Sequence, residues 1–174
     1  MTRKALLNLG SGHGYLPGAV NVDITPDTSP DVVHDLDVRP WPFADASFDE
    51  IQGIDVLEHL TDLLGAMEEV HRVARPNATV KIVVPHFSSP NAYTDPTHER
   101  QFGTFSFDYF TGEHVHGYYT RVRFAMKRRE LVFKQTLTNK VVRRLANRWP
   151  ARYEDRWAWM FPAWFLVFEL RVVK

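Results

Sequence analysis

The stretch Leu6-Leu7-Asn8-Leu9-Gly10-Ser11-Gly12-His13-Gly14 constrains this chain of 174 residues more than any other. A short apolar run ends in a Gly-x-Gly-x-Gly turn, and the chain soon reads Asn21-Val22-Asp23. Glycines let a backbone turn at positive φ and let a ligand reach the main chain without meeting a Cβ. An acid at the tip of the next strand can accept hydrogen bonds from a ribose diol. Strand, glycine turn, strand and acid together are a way for an open α/β sheet to hold a nucleoside. Only Ser11 to Gly18 lies between the two strands, with Pro17-Gly18 as a turn signal. That is shorter than a crossover helix requires. A dinucleotide site calls for Gly-x-Gly-x-x-Gly with a helix behind it. The third glycine here comes one residue early and the helix is missing, so the pattern favours a ligand without phosphate over a pyrophosphate.

The remaining elements follow from periodicity. Asp31 to Asp37 predicts a short third strand and Phe48 to Ile54 a fourth. Thr61 or Asp62 can cap a helix through about Ala74, with Leu63, Leu64, Met67, Val70 and Val73 at helical spacing. Pro76-Asn77-Ala78 predicts a turn, and Thr79 to Val84 a β-branched central strand stopped by Pro85. Residues 85–120, rich in His, Pro, Tyr and Phe, predict a long functional loop with a short helix near Phe105–Phe110. A strand or strand pair over 121–137, a basic helix over 139–148 and a last strand over 164–173 complete the chain. The alternation predicts an α/β, Rossmann-like, mostly parallel sheet with helices on both faces and a truncated first crossover helix. The expected organisation is one domain over 1–174, with 85–120 as a substrate lid and 138–163 as a basic, aromatic insert before the last strand.

Five motifs in chain order carry a family resemblance. They are Asn8-Leu9-Gly10-Ser11-Gly12-His13-Gly14, Val22-Asp23, Trp41-Pro42-Phe43-Ala44-Asp45-Ala46-Ser47-Phe48-Asp49-Glu50-Ile51, Val56-Leu57-Glu58-His59-Leu60, and Glu69-Val70-His71-Arg72-Val73-Ala74-Arg75-Pro76. Together they resemble the class I, type 11 S-adenosylmethionine-dependent methyltransferases over residues 5–85. The resemblance implies S-adenosyl-L-methionine as cofactor. Its implied contacts are Asn8, Gly10, Ser11, Gly12 and Gly14 on the methionine part, Asp23 on the ribose, Asp35 and Leu36 beside adenine, and Asp55. The Leu57-Glu58-His59 element is implied to lie beside the methyl group. Asn8 stands where the family often has an acid, and Pro76-Asn77-Ala78 replaces a proline-glycine-glycine turn.

Methyl transfer needs the acceptor held in line behind the methyl carbon. A hydroxyl acceptor also needs a base or a metal. The candidate catalytic residues are His98, Asp95, His59 and His86, with His98 as the preferred base because a mobile cover and a group titrating near neutrality coincide there. No resident metal is expected. An alternative metal set is Asp55, Glu58, His59 and His98, whose acid-x-x-Glu-His spacing resembles metal-assisted RNA 2′-O-methyltransferases. His114 and His116 form another, weaker pair.

The expected reaction is methylation of a hydroxyl on a sugar, a glycolipid precursor or another small molecule. Metal-assisted RNA 2′-O-methylation and a non-catalytic cofactor-binding module are the alternatives. The chain has no cysteine, which excludes disulfides, thiolate metal sites and a cysteine nucleophile. Residues 1–120 hold 7 Lys and Arg against 17 Asp and Glu, whereas residues 121–174 hold 14 against 4. The basic end carries Lys140, Arg143, Arg144, Arg148, Arg152 and Arg156 among Trp149, Tyr153, Trp157, Trp159, Phe161 and Trp164. That combination suits peripheral membrane contact more than single-stranded nucleic acid. The N-terminal residues run straight into a strand, which makes the cytoplasm the expected compartment.

Overall fold

The computed structural model describes residues 4–112 and 117–174, without the side chains of residues 137 and 138. Seven strands form one sheet: β1 (Leu6–Leu9), β2 (Val20–Asp23), β3 (Val32–Val33), β4 (Phe48–Ile54), β5 (Ala74–Pro85), β6 (Arg123–Val132) and β7 (Phe165–Val173). Their order is β3-β2-β1-β4-β5-β7-β6. The first five strands pair in parallel, and β7 runs antiparallel between β5 and β6. The sheet is therefore Rossmann-like and mostly parallel, as the sequence predicts. The helices are α1 (Leu63–Val73), α2 (Asn91–Thr94), α3 (Leu137–Arg148) and α4 (Pro150–Arg156). None is long and apolar enough to cross a membrane among the described residues.

The short first crossover has a consequence for the whole sheet. No helix stands between β1 and β2, and only a 3-10 turn (Pro26–Thr28) stands between β2 and β3. On the face against α1, Leu7, Leu9, Ile51, Val80, Ile82, Phe168 and Leu170 are buried in one core with Met67, Val70 and Val73. The other face carries a polar row. In cross-strand register run Asn21, Asn8, Gln52, Lys81, Glu169 and Arg128. Parallel sheets are normally apolar on both faces because helices cover both. Where that cover is reduced, alternate residues are polar, as Thr79 and Lys81 are on β5. Helical cover is thus uneven between the two faces.

Local differences from the predicted elements have physical causes. β5 begins at Ala74, and Asn77 takes the left-handed conformation (φ 65°) inside it. Asn tolerates that region, so Pro76-Asn77-Ala78 forms an irregularity in the strand where the sequence predicts a turn. Its pairing with β4 skips from Phe48↔Ala74 to Glu50↔Thr79. β3 shrinks to two residues, and the helix near Phe105 is a 3-10 turn over Ser106–Phe110. The sequence reading misses α4, although Pro150 at its first turn is a start signal.

Helix α1 starts where Asp62 accepts a hydrogen bond from Gly65 N–H (2.9 Å). Asp37 adds a second anchor, accepting from the N–H groups of Thr61 and Asp62. These backbone donors outweigh burial and hold the Asp37 carboxyl below the usual range. Asp62→Ala is expected to lower stability by about 1 kcal/mol, a typical cost of losing a cap. Urea denaturation measures this directly.

Candidate active site

The strand order reverses between β1 and β4, so the loops after these two strands diverge around a crevice. The first loop is the glycine turn. Gly10 and Gly12 both have positive φ, 57° and 46°. A Cβ at Gly10 would lie 2.4 Å from Cγ2 of Val56, so the bare glycine lets the post-β4 loop close against it. A Cβ at Gly12 would meet nothing within 4 Å. Asp23, at the tip of β2, accepts from Gly12 N–H (2.7 Å) and from Thr25 N–H (3.0 Å). Ser11 Oγ is buried with no partner, beside Gly12.

Asn8 has a different role from the expected cofactor contact. Its amide donates to Gly14 O (3.1 Å) and Asn21 Oδ1 (2.9 Å), and its carbonyl accepts from Gln52 (2.9 Å). Both donors are engaged, so Asn8 braces the far end of the glycine turn from the polar face of the sheet. Beyond β3, Asp35 accepts from Asp37 N–H, and Leu36 is buried with its carbonyl on the Trp41 indole N–H.

The second loop, after β4, carries Asp55, Glu58 and His59. It meets the 95–100 segment through Glu99 N–H to Glu58 O (2.8 Å) and Arg100 to Thr61 O (2.8 Å). Around this junction lies an open pocket of about 620 Å³ lined by Asp55, Glu58, His59, Asp95 and His98, with Phe165 beside them. The structure therefore brings together three of the four predicted catalytic residues. The imidazoles of His59 and His98 stand 4.7 Å apart in an edge contact. Burial raises the Asp55 carboxyl, partly offset by the two imidazoles. Burial pushes the Glu58 carboxyl up to about 7, with Asp55 and Asp95 adding to the effect. Hydrogen bonds from the Thr97 hydroxyl and N–H hold Asp95 below its ordinary value.

His86 is a correction. It is fully buried, its Nδ1 accepts from Ser88 N–H (3.1 Å), and its Nε2 faces the Glu154 carboxylate at 3.1 Å. A neutral imidazole has one donor and one acceptor, and both are engaged. His86 has no lone pair for a substrate proton; it ties the end of β5 to α4. Glu154 also accepts from Thr104 N–H (2.6 Å). Neither Glu154 nor Thr97 was predicted. Only the position of Thr97 within Asp95-Pro96-Thr97-His98 gave any signal. His114 and His116 lie outside the described residues.

Residues 7–82 match the model of a methyltransferase domain family. That match agrees with the resemblance to the class I, type 11 methyltransferases that the sequence motifs carry over the same residues. The match implies S-adenosylmethionine as the cofactor. No curated relative matches. Among solved structures, the chain is similar to a putative methyltransferase from Bacillus halodurans, with 13% identity, a TM-score of 0.67, and 100% and 94% of the two chains covered. It is similar to the YcgJ protein of Bacillus subtilis, with 15% identity, a TM-score of 0.63, and 99% and 92% covered. It is also similar to a SAM-dependent methyltransferase from Archaeoglobus fulgidus, with 17% identity, a TM-score of 0.61, and 98% and 86% covered. At such identities the likeness shows the fold. The site itself suits the cofactor: the unpartnered Ser11 hydroxyl, the open approach at Gly12 and the Asp23 carboxylate meet at one end of the sheet.

Gly12→Ala is expected to leave the fold intact at a cost of about 1–2 kcal/mol, because its φ is positive. It should weaken S-adenosylhomocysteine binding at least about tenfold, read by calorimetry, because a methyl group would enter the ligand's approach. At Glu154, burial acts to raise the carboxyl, but hydrogen bonds from His86 and Thr104 outweigh it and hold it low. Such a group stabilises the fold above its unfolded value, and the gain is lost as pH falls through the lowered folded value. Wild type should therefore exceed Glu154→Gln by about 1–2 kcal/mol at neutral pH, a gap that closes in acid, as urea melts across pH would show.

Proposed function

We propose that the protein transfers the methyl group of S-adenosylmethionine to a hydroxyl of a sugar, a glycolipid precursor or another small molecule. The observation that carries this reading is the pocket shared by the post-β4 loop and the 95–100 segment, where Asp55, Glu58, His59, Asp95 and His98 converge. When bound, the cofactor supplies an activated methyl group and needs no further chemical activation. What the protein adds is acceptor placement and removal of a hydroxyl proton. Gly10 to Gly14, Asp23, Asp35 and Leu36 hold the cofactor in this reading. Asp55, at the end of β4, lies between that loop and the ionisable cluster. The cluster orients the hydroxyl and takes up its proton.

A membrane-borne acceptor is favoured by the surface of α3 and α4. Val141, Leu145, Trp149, Trp157, Trp159 and Met160 are exposed there. Lys140, Arg144, Arg148, Arg152 and Arg156 are exposed among them. Trp and Arg side by side suit the boundary between headgroups and acyl chains of an anionic bilayer. The ring of Phe87, two residues after the pocket-lining Pro85, lies 5.5 Å from that of Trp159.

His98→Ala is expected to reduce turnover about 100-fold or more. Its affinity for S-adenosylhomocysteine should stay within about twofold of wild type, since His98 is remote from the glycine turn in the reading. Calorimetry and a methyl-release assay on a pool of glycan and glycolipid acceptors check both. Full turnover in the variant would overturn the assignment. Failure of wild type to bind S-adenosylhomocysteine at all would overturn the function.

A further inference from the structure

We propose that Glu58, His59 and His98 form a binding site for one first-row divalent transition cation, which holds the hydroxyl oxygen of the methyl acceptor. The cation site stands on the geometry alone. Only the role given to the cation rests on the function proposed above.

The starting point is Glu58. It is 1% exposed, and neither carboxylate oxygen has a hydrogen-bond partner. Buried charged groups are ordinarily paired or bound to a metal. No lysine or arginine lines this pocket, and its other carboxylates are Asp55 and Asp95. The groups within reach of Glu58 are the two imidazoles. One ligand atom from each of Glu58, His59 and His98 lies within 4.8 Å of the others. A cation about 2.1 Å from each donor spans donors up to about 4.2 Å apart, so adjustments of under about 1 Å close the shell.

Proton placement shows which imidazole atoms are available. His98 Nδ1 faces the carbonyl oxygen of Ala92 (3.3 Å), which can only accept, so Nδ1 carries the proton. The Thr97 hydroxyl donates its one hydrogen to Asp95 Oδ1 (2.7 Å). Its contact with His59 Nδ1 (2.8 Å) therefore makes that nitrogen a donor too. Both neutral rings then present a bare Nε2 lone pair. Histidines that bind metals are oriented in this way, by a second N–H directed to a carbonyl or, through a relay, to a carboxylate. With neutral imidazoles the pocket holds three carboxylates and no positive charge, an arrangement that a divalent cation stabilises.

Two imidazoles and one carboxylate favour manganese, iron, cobalt, nickel or zinc over magnesium or calcium, which prefer all-oxygen shells. Three protein ligands leave coordination positions open on the pocket side, where a hydroxyl oxygen can bind. Asp55 lines the pocket beside them and can receive its proton.

The test uses the full chain after chelator treatment, titrated with Mn²⁺ and, separately, Zn²⁺ by calorimetry, with Mn²⁺ binding also followed by electron paramagnetic resonance. Wild type should bind one equivalent. Glu58→Gln and His98→Ala should each weaken binding at least about tenfold, and Thr97→Val should weaken it about 10–100-fold through the lost relay. A large excess of Mg²⁺ should not displace Mn²⁺. Circular dichroism identifies any variant that fails to fold, in which case the partly exposed His98 site decides. Absence of saturable binding by folded wild type overturns the proposal, as does equal affinity in wild type and both ligand variants. S-adenosylhomocysteine titration of the same samples separates the two readings. Cation binding without nucleoside binding would sink the methyltransferase function and leave the metal site standing.

Discussion

The architecture of the site depends on one contact, the seating of Val56 against Gly10. The space that a Cβ would fill at Gly10 is occupied by the Val56 side chain, and a Cβ at Gly53 would lie 3.1 Å from Cγ1 of the same residue. Any other residue at Gly10 would push the post-β4 loop away and would also meet a positive φ. Because the contact is made, the glycine turn lies directly against the loop carrying Asp55, Glu58 and His59. The 95–100 segment then clamps onto that second loop through one backbone hydrogen bond, Glu99 N–H to Glu58 O, and through the Arg100 side chain on Thr61 O. Glycine turn, ionisable loop and 95–100 segment thus form a chain of contacts in which each fixes the next.

The short first crossover is the second organising constraint. A doubly wound sheet is covered by the helices that connect its strands, and here the connections after β1 and β2 contain little helix. The strands carry polar side chains on that face, buried and hydrogen-bonded at Asn21 and Asn8. The row from Asn21 through Asn8, Gln52, Lys81 and Glu169 to Arg128 follows the register across six strands. Asn8 shows how structure and site are coupled. A buried residue of the polar row also holds Gly14 O in place. The acid that often stands at this position in the family would lack the two N–H donors that this arrangement uses.

Much of the fold was legible because its signals are local. The spacing of Leu63, Leu64, Met67, Val70 and Val73 with an Asp62 cap gives α1, and the run Thr79 to Val84 gives the centre of β5. What escaped were features decided by distant partners. α4 is anchored by Glu154 reaching His86 and Thr104, 68 and 50 positions away. The extra length of β5 depends on pairing of Ala74 with Phe48.

By itself the sequence determined that a strand enters a glycine turn too short for a helix, that an acid follows at the next strand tip, and that histidines and carboxylates concentrate after β4 and β5. Those are properties of residue type and spacing, which local sterics and periodicity fix. Tertiary structure alone decided which histidines can act. His86 and His98 belong to the same long segment and look equivalent in the sequence. His86 sits where Ser88 and Glu154 engage both of its nitrogens, whereas His98 reaches the pocket with one nitrogen engaged by a backbone carbonyl. A histidine's chemistry depends on which lone pair is free, and that is set by neighbours brought in from elsewhere in the chain.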